Sequence, residues 1–381
     1  MLSGPGLAQN PLMSTQTPYP CPATPPHCPN PECAYSEAQS GPWPYIRFGS
    51  FTRLKPPYTV PRFRCKACGR TFSSQTFETS YWLKRPDLLP QVQKHAVSGA
   101  ANRQVARVLE TSPATVDLHI ERLGRHCILF HRQFMEKASP TVDVILDGLV
   151  TFEYSQYLPY EVIAALDGNT SFVTHFAEAE RRRSGKMTDE QKRKRQEFES
   201  MVGRPDPHAL MKAVVEVVSE TVRGAVWAHV WSDKHKTYPF ALKKIRWCHF
   251  DHETVDSREP RTYWNPLFEV NLLDMLMRHC LKDHTRETIA FGRRRNNSMY
   301  RMAIFLVWRN YIKLRREKRC RSTPAMLKGL TDHPLTEEEV LSTRLFVWHF
   351  ELPELWADYY WRRVETRALK VNRGHELKYA M

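Results

Sequence analysis

The sequence predicts a multidomain α/β protein: a small cysteine-rich segment, a three-helix unit, an α/β core and a helical tail, in that order. Two observations support this prediction. Four of the nine cysteines stand as two close pairs, Cys28/Cys33 and Cys65/Cys68. After Pro140 the apolar residues change from helical spacing to the alternation that is typical of strands. The length of 381 residues allows two or three domains of about 150 residues each.

The charge balance indicates the kind of partner. Lys and Arg number 56 against 41 Asp and Glu, which gives a net charge of +15 and a pI near 9.4. Much of the excess lies in three basic runs, 181–194, 293–295 and 313–321. A field of this sign favours a polyanion, either a nucleic acid or an acidic membrane surface.

Membrane insertion and secretion are not expected. The longest apolar run, 302–308, is far shorter than the roughly 20 residues that a membrane span requires. The N-terminus has no charged-then-apolar signal pattern. We therefore expect an intracellular protein with no membrane partner.

Composition and periodicity divide the chain into five segments. The first is Pro-rich and expected to be disordered, the second holds the cysteine pairs, and the third is helical. The fourth alternates strands and helices around a charged insertion at about 179–208, and the last is a helical tail. The five segments are 1–27, 28–80, 86–135, 140–318 and 319–381.

The two cysteine pairs predict a Cys₄ zinc ribbon. Zinc takes four ligands in a tetrahedron, and two tight turns with two thiolates each supply them. Gly69 follows the second pair directly and suits a left-handed turn. Because the first pair encloses four residues rather than two, Cys21 and His27 stay open as replacement ligands. Four thiolates leave no vacant position, so this zinc would be structural.

Three helices are predicted after the cysteine segment. Ser112 is the expected N-cap of the third, with a proline at its first helical position. This third helix, 113–125, is expected to present Thr115, His119 and Arg122 to solvent. In a helix-turn-helix the last helix enters the major groove, which makes these three residues candidates for DNA contact. A purely structural three-helix linker is the alternative.

Asp147 lies at the centre of an apolar strand, 142–152. Burying an unpaired carboxylate costs several kcal/mol, so the strand needs a compensating partner such as a bound cation. Asp143 shares the same face by the two-residue period but lies nearer the strand start. Asp147 is therefore the preferred ligand.

Two further acids complete a candidate metal site. Asp233 ends the predicted strand 225–232, and Glu287 falls in the first turn of a long helix predicted from 284 to about 318. No Ser-His or Cys-His nucleophile pattern accompanies them. Carboxylates suit Mg²⁺, and two such ions about 4 Å apart can activate an attacking oxygen and stabilise a leaving one at a phosphodiester.

With these motifs in place, the chain resembles insertion-sequence transposases of the DDE class, which combine a zinc ribbon, a helix-turn-helix and an RNase H-like catalytic core. The resemblance covers roughly residues 28 to 318. It is carried by four motifs: 64–72 around the second cysteine pair, 145–152, 232–238, and 286–291 running on to 308–313.

The resemblance implies a catalytic triad of Asp147, Asp233 and Glu287 that uses Mg²⁺ or Mn²⁺. Glu269 or Asp283 would replace Glu287 if the helix begins elsewhere. It also implies double-stranded DNA as the partner (element ends and target), a homo-oligomer, and a nucleoid-associated place in the cytoplasm of a prokaryotic cell. The alternatives are a DNA-binding regulator with an inert core and a nuclease of the same fold.

The basic runs supply the remaining candidate DNA contacts. A merely solvated face is the alternative for the first run, whereas the second follows Glu287 closely and would hold the strand end near the metals. The candidates are Arg181, Arg182, Arg183, Arg193, Arg195, Arg293, Arg294 and Arg295.

Overall fold

The structure, a computed structural model, describes residues 25–37, 42–54, 58–81, 83–256, 258–316, 318, 321–372 and 374. The expectation of a disordered segment at 1–27 therefore lies almost wholly outside the described residues. The chain forms two compact units, Met1–Thr76 and Phe77–Met381.

The first unit contains a three-stranded antiparallel sheet. Its strands are β1 (Tyr45–Thr52), β2 (Thr59–Cys65) and β3 (Thr71–Ser73), in the order β1-β2-β3. One face is packed by aromatic rings, in which Phe72 lies 5.7 Å from both Trp43 and Phe63 between ring centroids. The other face of the sheet is open to solvent, as is common for small antiparallel sheets.

The second unit begins with the three helices that the sequence predicted. They are α1 (Leu89–Ala96), α2 (Asn102–Val108) and α3 (Pro113–Met135). Ser112 caps α3 as expected, since its hydroxyl accepts a 3.1 Å hydrogen bond from the Thr115 amide. However, α3 continues for 23 residues instead of ending near 125. The segment 86–135 falls within the larger compact unit, Phe77–Met381.

The centre of the second unit is a five-stranded mixed sheet. Its strands are β4 (Asp143–Phe152), β5 (Pro159–Asp167), β6 (Val173–Glu180), β7 (Trp227–Asp233) and β8 (His249–Val255). They lie in the order β6-β5-β4-β7-β8. Strands β4 to β6 pair antiparallel, whereas β7 runs parallel to both β4 and β8.

Strands β4 and β7 match the predicted strands 142–152 and 225–232, whereas β8 was not predicted. His249–Val255 is an edge strand whose residues are exposed or half-buried. Because β8 buries little, its sequence is polar and lacks the apolar alternation that identified the other strands.

Helices cover the sheet and continue to the C-terminal segment. After β6 come α4 (Asp189–Val202) and α5 (Ala209–Thr221), and α6 (Thr237–Leu242) follows β7. After β8 the helices are α7 (Phe268–Cys280), α8 (Arg295–Val307), α9 (Pro324–Leu327), α10 (Glu337–Ser342) and α11 (Glu354–Tyr360). A single-turn π-helix, Trp308–Ile312, extends α8.

Two packing contacts fix the main layers. The α5 side chains Val214 and Val217 are fully buried in one cluster with Leu146 of β4. On α3, a Cβ at Gly124 would lie 2.6 Å from the Tyr300 Cα, so only glycine permits the close approach of α3 and α8. The buried face of α3 is therefore set by α8.

The C-terminal helices are part of the same core. Trp356 of α11 is buried, and its indole donates a 2.7 Å hydrogen bond to the Phe176 carbonyl of β6. The Tyr359 hydroxyl accepts a 2.8 Å hydrogen bond from the Glu178 amide of the same strand. The predicted helical tail is thus made of short helices, of which α11 packs on the sheet.

Within the described residues, the helices are all too short or too polar to cross a membrane.

Candidate functional site

The four predicted zinc ligands converge in the first unit. The Sγ atoms of Cys28, Cys33, Cys65 and Cys68 all lie within 4.8 Å of one another. Cys28 and Cys68 are 3.5 Å apart between sulfurs, and Cys33 and Cys65 are 3.9 Å apart. A zinc tetrahedron with zinc–sulfur bonds of about 2.3 Å has edges of about 3.8 Å. The cysteine cluster therefore has the dimensions of a zinc site.

Backbone hydrogen bonds shape the two turns that carry these cysteines. In the second turn the Gly69 amide donates to the Cys65 carbonyl at 3.0 Å, and Gly69 has a left-handed φ of +73°. In the first turn the Cys33 amide donates to the Asn30 carbonyl at 3.1 Å. Cys33 therefore belongs to the cluster even though four residues, and not two, separate it from Cys28.

Of the two replacement ligands that the sequence left open, His27 is not part of this cluster. The Nδ1 atom of His27 lies 3.0 Å from the Cys28 carbonyl oxygen. Cys21 lies outside the described residues. The four cysteines provide a complete ligand set without either of them.

The thiols have unequal acidities. Burial raises the pKa of Cys28 and Cys33. Burial also acts on Cys68, but hydrogen bonds from the Arg70 backbone, Asn30 and the neighbouring thiols outweigh it and lower its pKa to about 7. A cation is needed to hold all four as thiolates at neutral pH.

In the second unit, strand register places Asp147 beside Asp233. Strands β4 and β7 are parallel and Leu146 pairs with Ser232, so the two aspartates are the next residues on adjacent strands. Each carboxylate accepts one local hydrogen bond, from the Gly148 amide at 2.8 Å and the His235 amide at 2.9 Å respectively. The two carboxylates thus lie together where the parallel pairing of β4 and β7 ends, at the centre of β4 and the last residue of β7.

The Asp147 carboxyl is strongly perturbed. Burial raises its pKa to about 6, and the charge of Asp233 adds to the rise while Arg261 opposes it. A group with this pKa exchanges its proton for a cation readily near neutral pH.

Asp143 is the first residue of β4, four residues before Asp147. One of its carboxylate oxygens is 3.7 Å from His229, and its carbonyl accepts a hydrogen bond from the Gly168 amide at 2.8 Å. A Cβ at Gly168 would clash with the Asp143 carboxylate, whose Cγ would be 2.8 Å away. Asp143 therefore stabilises the turn between β5 and β6.

A third acid near this pair, Asp274, was missed by the sequence reasoning. Helix α7 packs against β4 and β5 and carries Asp274 half-buried on its surface. Burial raises the pKa of Asp274 to about 7, with further contributions from Asp147 and Glu161, while Arg278 and Arg261 oppose the rise.

The sequence does contain a signal for Asp274. Val270, Leu273 and Met277 of α7 are fully buried, and Asp274 falls between them on the same apolar stripe. An acid within the buried stripe of an amphipathic helix needs a partner for the same reason as an acid within an apolar strand.

Glu287, the predicted third acid, is not on a helix. It is exposed on the loop between a 3₁₀ turn, Lys282–His284, and α8, and its φ is +53°. The Tyr154 amide donates to the Gly292 carbonyl at 2.8 Å, which holds the chain in this loop until α8 begins at Arg295. The predicted helix start at 284 is therefore wrong.

The two substitutes considered for Glu287 have other partners. Glu269 forms an ion pair with Arg315, at 2.6 Å between oxygen and nitrogen. Asp283 is buried and raises the pKa of the buried Tyr160.

Side chains beneath the acids shape the site. Glu161 is buried and pairs with Arg181 at 3.2 Å. A Cβ at Gly148 would meet the Glu161 carboxylate, with Cδ only 2.8 Å away. The pKa of the buried Tyr238 is raised well above its ordinary value by burial and then by four acids. They are Asp147, Glu161, Asp233 and Asp274.

Asp147, Asp233 and Asp274 lie near one another, but their carboxylate oxygens do not converge tightly on one point. Among the residues that the structure describes, the cysteine cluster is the group of three or more ligands whose atoms lie within 4.8 Å. A cation at the aspartates would have to draw the side chains inward, and its charge would offset the burial and the charge repulsion that raise the pKa values of Asp147 and Asp274.

The predicted DNA-contacting face of α3 is wrong in two of three positions. His119 is 1% exposed and its ring nitrogens lie 2.7 Å from the Thr115 and Arg85 carbonyl oxygens. Arg122 is 3% exposed, and burial lowers its pKa to about 9. Thr115 is half-buried beside the cap. Because α3 packs in the core of the second unit, more of its surface is buried than the surface of a recognition helix that is free to contact DNA.

Arg295 is also turned away from solvent. It is 4% exposed and forms ion pairs with Glu153, Glu178 and Glu180, the last at 2.8 Å. The prediction that Arg295 contacts DNA is therefore wrong, because Arg295 is the buried first residue of α8. Arg294 donates to the Val371 carbonyl at 3.2 Å, and Arg293 is exposed.

The cations around α4 are at the surface and mostly paired. The exposed pairs among them contribute little to stability, whereas Glu161, the partner of Arg181, is buried. DNA contact by these arginines stays a prediction. Arg183 donates to the Ser184 carbonyl at 3.0 Å. The ion pairs are Arg181–Glu161, Arg182–Glu199, Arg193–Glu197 and Arg195–Glu199.

Comparisons with known proteins give little. No family model and no curated protein matches the chain. Among solved structures, the cryo-EM structure of a simian T-cell lymphotropic virus intasome in complex with PP2A regulatory subunit B56 gamma contains a similar chain. The identity is 11% and the TM-score 0.26, over 65% of this chain and 75% of that chain. At this TM-score the site itself has to support any functional conclusion.

Proposed function

We propose that the chain is a DDE-type transposase, a metal-dependent enzyme that cleaves DNA phosphodiesters and joins the freed 3′-OH ends to target DNA. The observation that carries the proposal is the placement of Asp147 beside Asp233 on two parallel strands, with Asp274 of α7 close to them. We propose Asp274 as the third acid in place of Glu287.

The position of the acids in the sheet supports this function. Strand β4 has an antiparallel neighbour on one side and a parallel neighbour on the other. Ligands of open α/β sheets bind at the carboxyl ends of the strands where the connection direction switches. Asp233 is the last residue of β7, and Asp147 lies next to it. An RNase H-like core is the fold we propose for this arrangement.

The chemistry of the donors fits Mg²⁺ or Mn²⁺. Carboxylate oxygens are the ligands that these hard cations prefer. When bound, two divalent ions about 4 Å apart would activate the attacking oxygen and stabilise the leaving one. Burial raises the pKa values of Asp147 and Asp274, and the nearby Arg261 and Arg278 offset this rise only in part.

We propose that a cation of the chain itself contacts the DNA substrate. Arg261 is exposed and acts electrostatically on both Asp147 and Asp274. We infer that it contacts a phosphate next to the cleaved bond, which would place that phosphate over the acids. Zinc at the four cysteines keeps a structural role, and a homo-oligomer would allow two element ends to be processed together.

Cleavage and joining of labelled element ends with Mg²⁺ test this function. We expect Asp147→Asn, Asp233→Asn and Asp274→Asn each to reduce both steps by orders of magnitude while binding persists. Asp143→Asn and Glu287→Gln are the matched controls and should be mild. Mn²⁺ should replace Mg²⁺, whereas Ca²⁺ should allow binding with little chemistry.

The same assay separates the alternatives. Full activity in all three aspartate variants would leave a DNA-binding regulator as the better function. Cleavage without joining would indicate a nuclease of the same fold. Loss of activity in Glu287→Gln with normal activity in Asp274→Asn would restore Glu287 as the third acid.

A further inference from the structure

The solvent face of the ribbon sheet carries a compact group of arginines around one aromatic ring. Arg62 and Arg64 are two residues apart on β2 and therefore share a face. Ile46 of β1 pairs with Arg64 of β2. Phe48, two residues after Ile46, lies at the surface against both arginines. Phe48 is 43% exposed, although the aromatic rings of the opposite face are buried.

The Phe48 ring holds both guanidinium groups. The central guanidinium carbons of Arg62 and Arg64 lie 5.6 Å and 5.7 Å from the ring centroid. This is within the range of cation–π attraction. Within the described part of the chain, neither arginine forms an ion pair with an acid. Their N–H groups are thus held in place without a protein anion to neutralise them.

The part of the ribbon that forms its sheet is strongly basic. Residues 42–76 contain seven Lys or Arg and no Asp or Glu, against a net charge of +15 for all 381 residues. Even with zinc bound, four thiolates and one Zn²⁺ contribute only about two negative charges. A positive surface of this density attracts phosphate groups.

We propose that the Arg62–Phe48–Arg64 face binds the phosphate backbone of duplex DNA and supplies the sequence-independent part of DNA affinity. The inference rests on the proposed function for the identity of the polyanion. It also provides a DNA contact that α3 does not, since His119 and Arg122 of that helix are buried.

The arrangement favours phosphate contact over base stacking. Single-strand binding proteins stack bases on free aromatic faces. Phe48 has two guanidinium groups over its ring, so the ring orients cations instead of offering a free surface. Planar guanidinium groups with fixed direction suit phosphate oxygens, which they can contact with two hydrogen bonds.

The test is binding of the full chain to a labelled 30-base-pair duplex of random sequence, measured by fluorescence anisotropy at several salt concentrations without Mg²⁺. Losing two phosphate contacts should make the slope of log affinity against log salt shallower by about 1.8. Each such contact changes affinity by about eightfold between 1 M and 0.1 M salt, so Arg62→Gln/Arg64→Gln should weaken binding up to about sixtyfold at 0.1 M.

Two further variants make the result specific. Lys212→Gln/Arg223→Gln removes the same charge from cations outside the basic runs that are already paired with Asp206 and Glu220, and we expect little change. Phe48→Leu removes the ring but no charge, so affinity should fall while the salt slope stays. Bound zinc, measured in each variant, shows that the ribbon remains folded.

Unchanged affinity and slope in Arg62→Gln/Arg64→Gln with zinc retained would overturn the inference. Preferential displacement of the duplex by a single strand of equal length would also overturn it. Because binding is measured without Mg²⁺, a failure of cleavage in the wild type would count against the proposed function and leave this surface standing.

Discussion

Asp274→Asn should stabilise the second unit while it abolishes cleavage. Burial and the charge of Asp147 raise the pKa of this carboxyl from 3.8 to about 7. One pKa unit corresponds to about 1.4 kcal/mol between the two protonation states. The ionised carboxylate therefore costs the folded chain at most about 4 kcal/mol above pH 7, and the amide of similar shape removes this cost.

The pH dependence has a defined sign. Below about pH 4 Asp274 is protonated in both folded and unfolded chains and contributes nothing to stability. Between pH 4 and 7 the unfolded chain ionises while the folded chain keeps its proton, so the free energy of unfolding falls. Above pH 7 the loss is complete. The variant should lack this decline.

Urea unfolding in Mg²⁺-free buffer at pH 5 and pH 8 measures the difference. The advantage of Asp274→Asn should grow from about 1.5 kcal/mol to about 4 kcal/mol between these pH values. Adding Mg²⁺ should stabilise the wild type and not the variant. Glu287→Gln, on an exposed loop, should stay within about 0.5 kcal/mol of the wild type.

A variant less stable than the wild type at pH 8 would refute the reasoning. It would mean that Asp274 makes favourable contacts as an anion, which the burial-driven rise of its pKa does not allow.

Three further changes have defined outcomes. Cys65→Ser should release zinc, measured by metal analysis, and unfold the ribbon, because the metal's binding energy is folding energy in so small a unit. Gly148→Ala should destabilise the second unit by about 1–3 kcal/mol in urea unfolding and lower cleavage, since the new methyl group displaces Glu161. Arg295→Met should cost about 3–5 kcal/mol by the same measurement, because Glu178 would remain buried without its cation.

Sequence reasoning worked where a local pattern carries its own physical reason. Strand β4 is an apolar run, and an acid at its centre identified Asp147 without any knowledge of its neighbours. The end of β7 gave Asp233 in the same way. The pairing of β4 with β7, however, depends on the register of the sheet, which the local pattern of neither strand contains.

Failures occurred where distant segments decide the environment. Arg122 appears outward-facing by helical phase alone, but α3 is buried on more than one side. Glu287 was assigned to a helix because its neighbours allow one, whereas a hydrogen bond between Tyr154 and Gly292 fixes a loop. Asp274 lies on the apolar stripe of α7, and the acids that act on it, Asp147 and Glu161, are distant in the sequence.

The hydrogen bonds made to β6 by side chains outside the sheet bear on how the chain avoids self-association. Strand β6 lies at one end of the sheet, and an unpaired strand edge is a template for pairing with another chain. Four side chains occupy its free backbone groups: Asn310 on Val173, His131 on Thr174, Trp356 on Phe176 and Tyr359 on Glu178.

Two of these four belong to α11, so the protection is completed only when that helix has been synthesised and docked. A chain truncated before Glu354 would keep every strand and every proposed catalytic acid but expose part of an apolar edge. Such a product should aggregate through β6 rather than remain a smaller active enzyme.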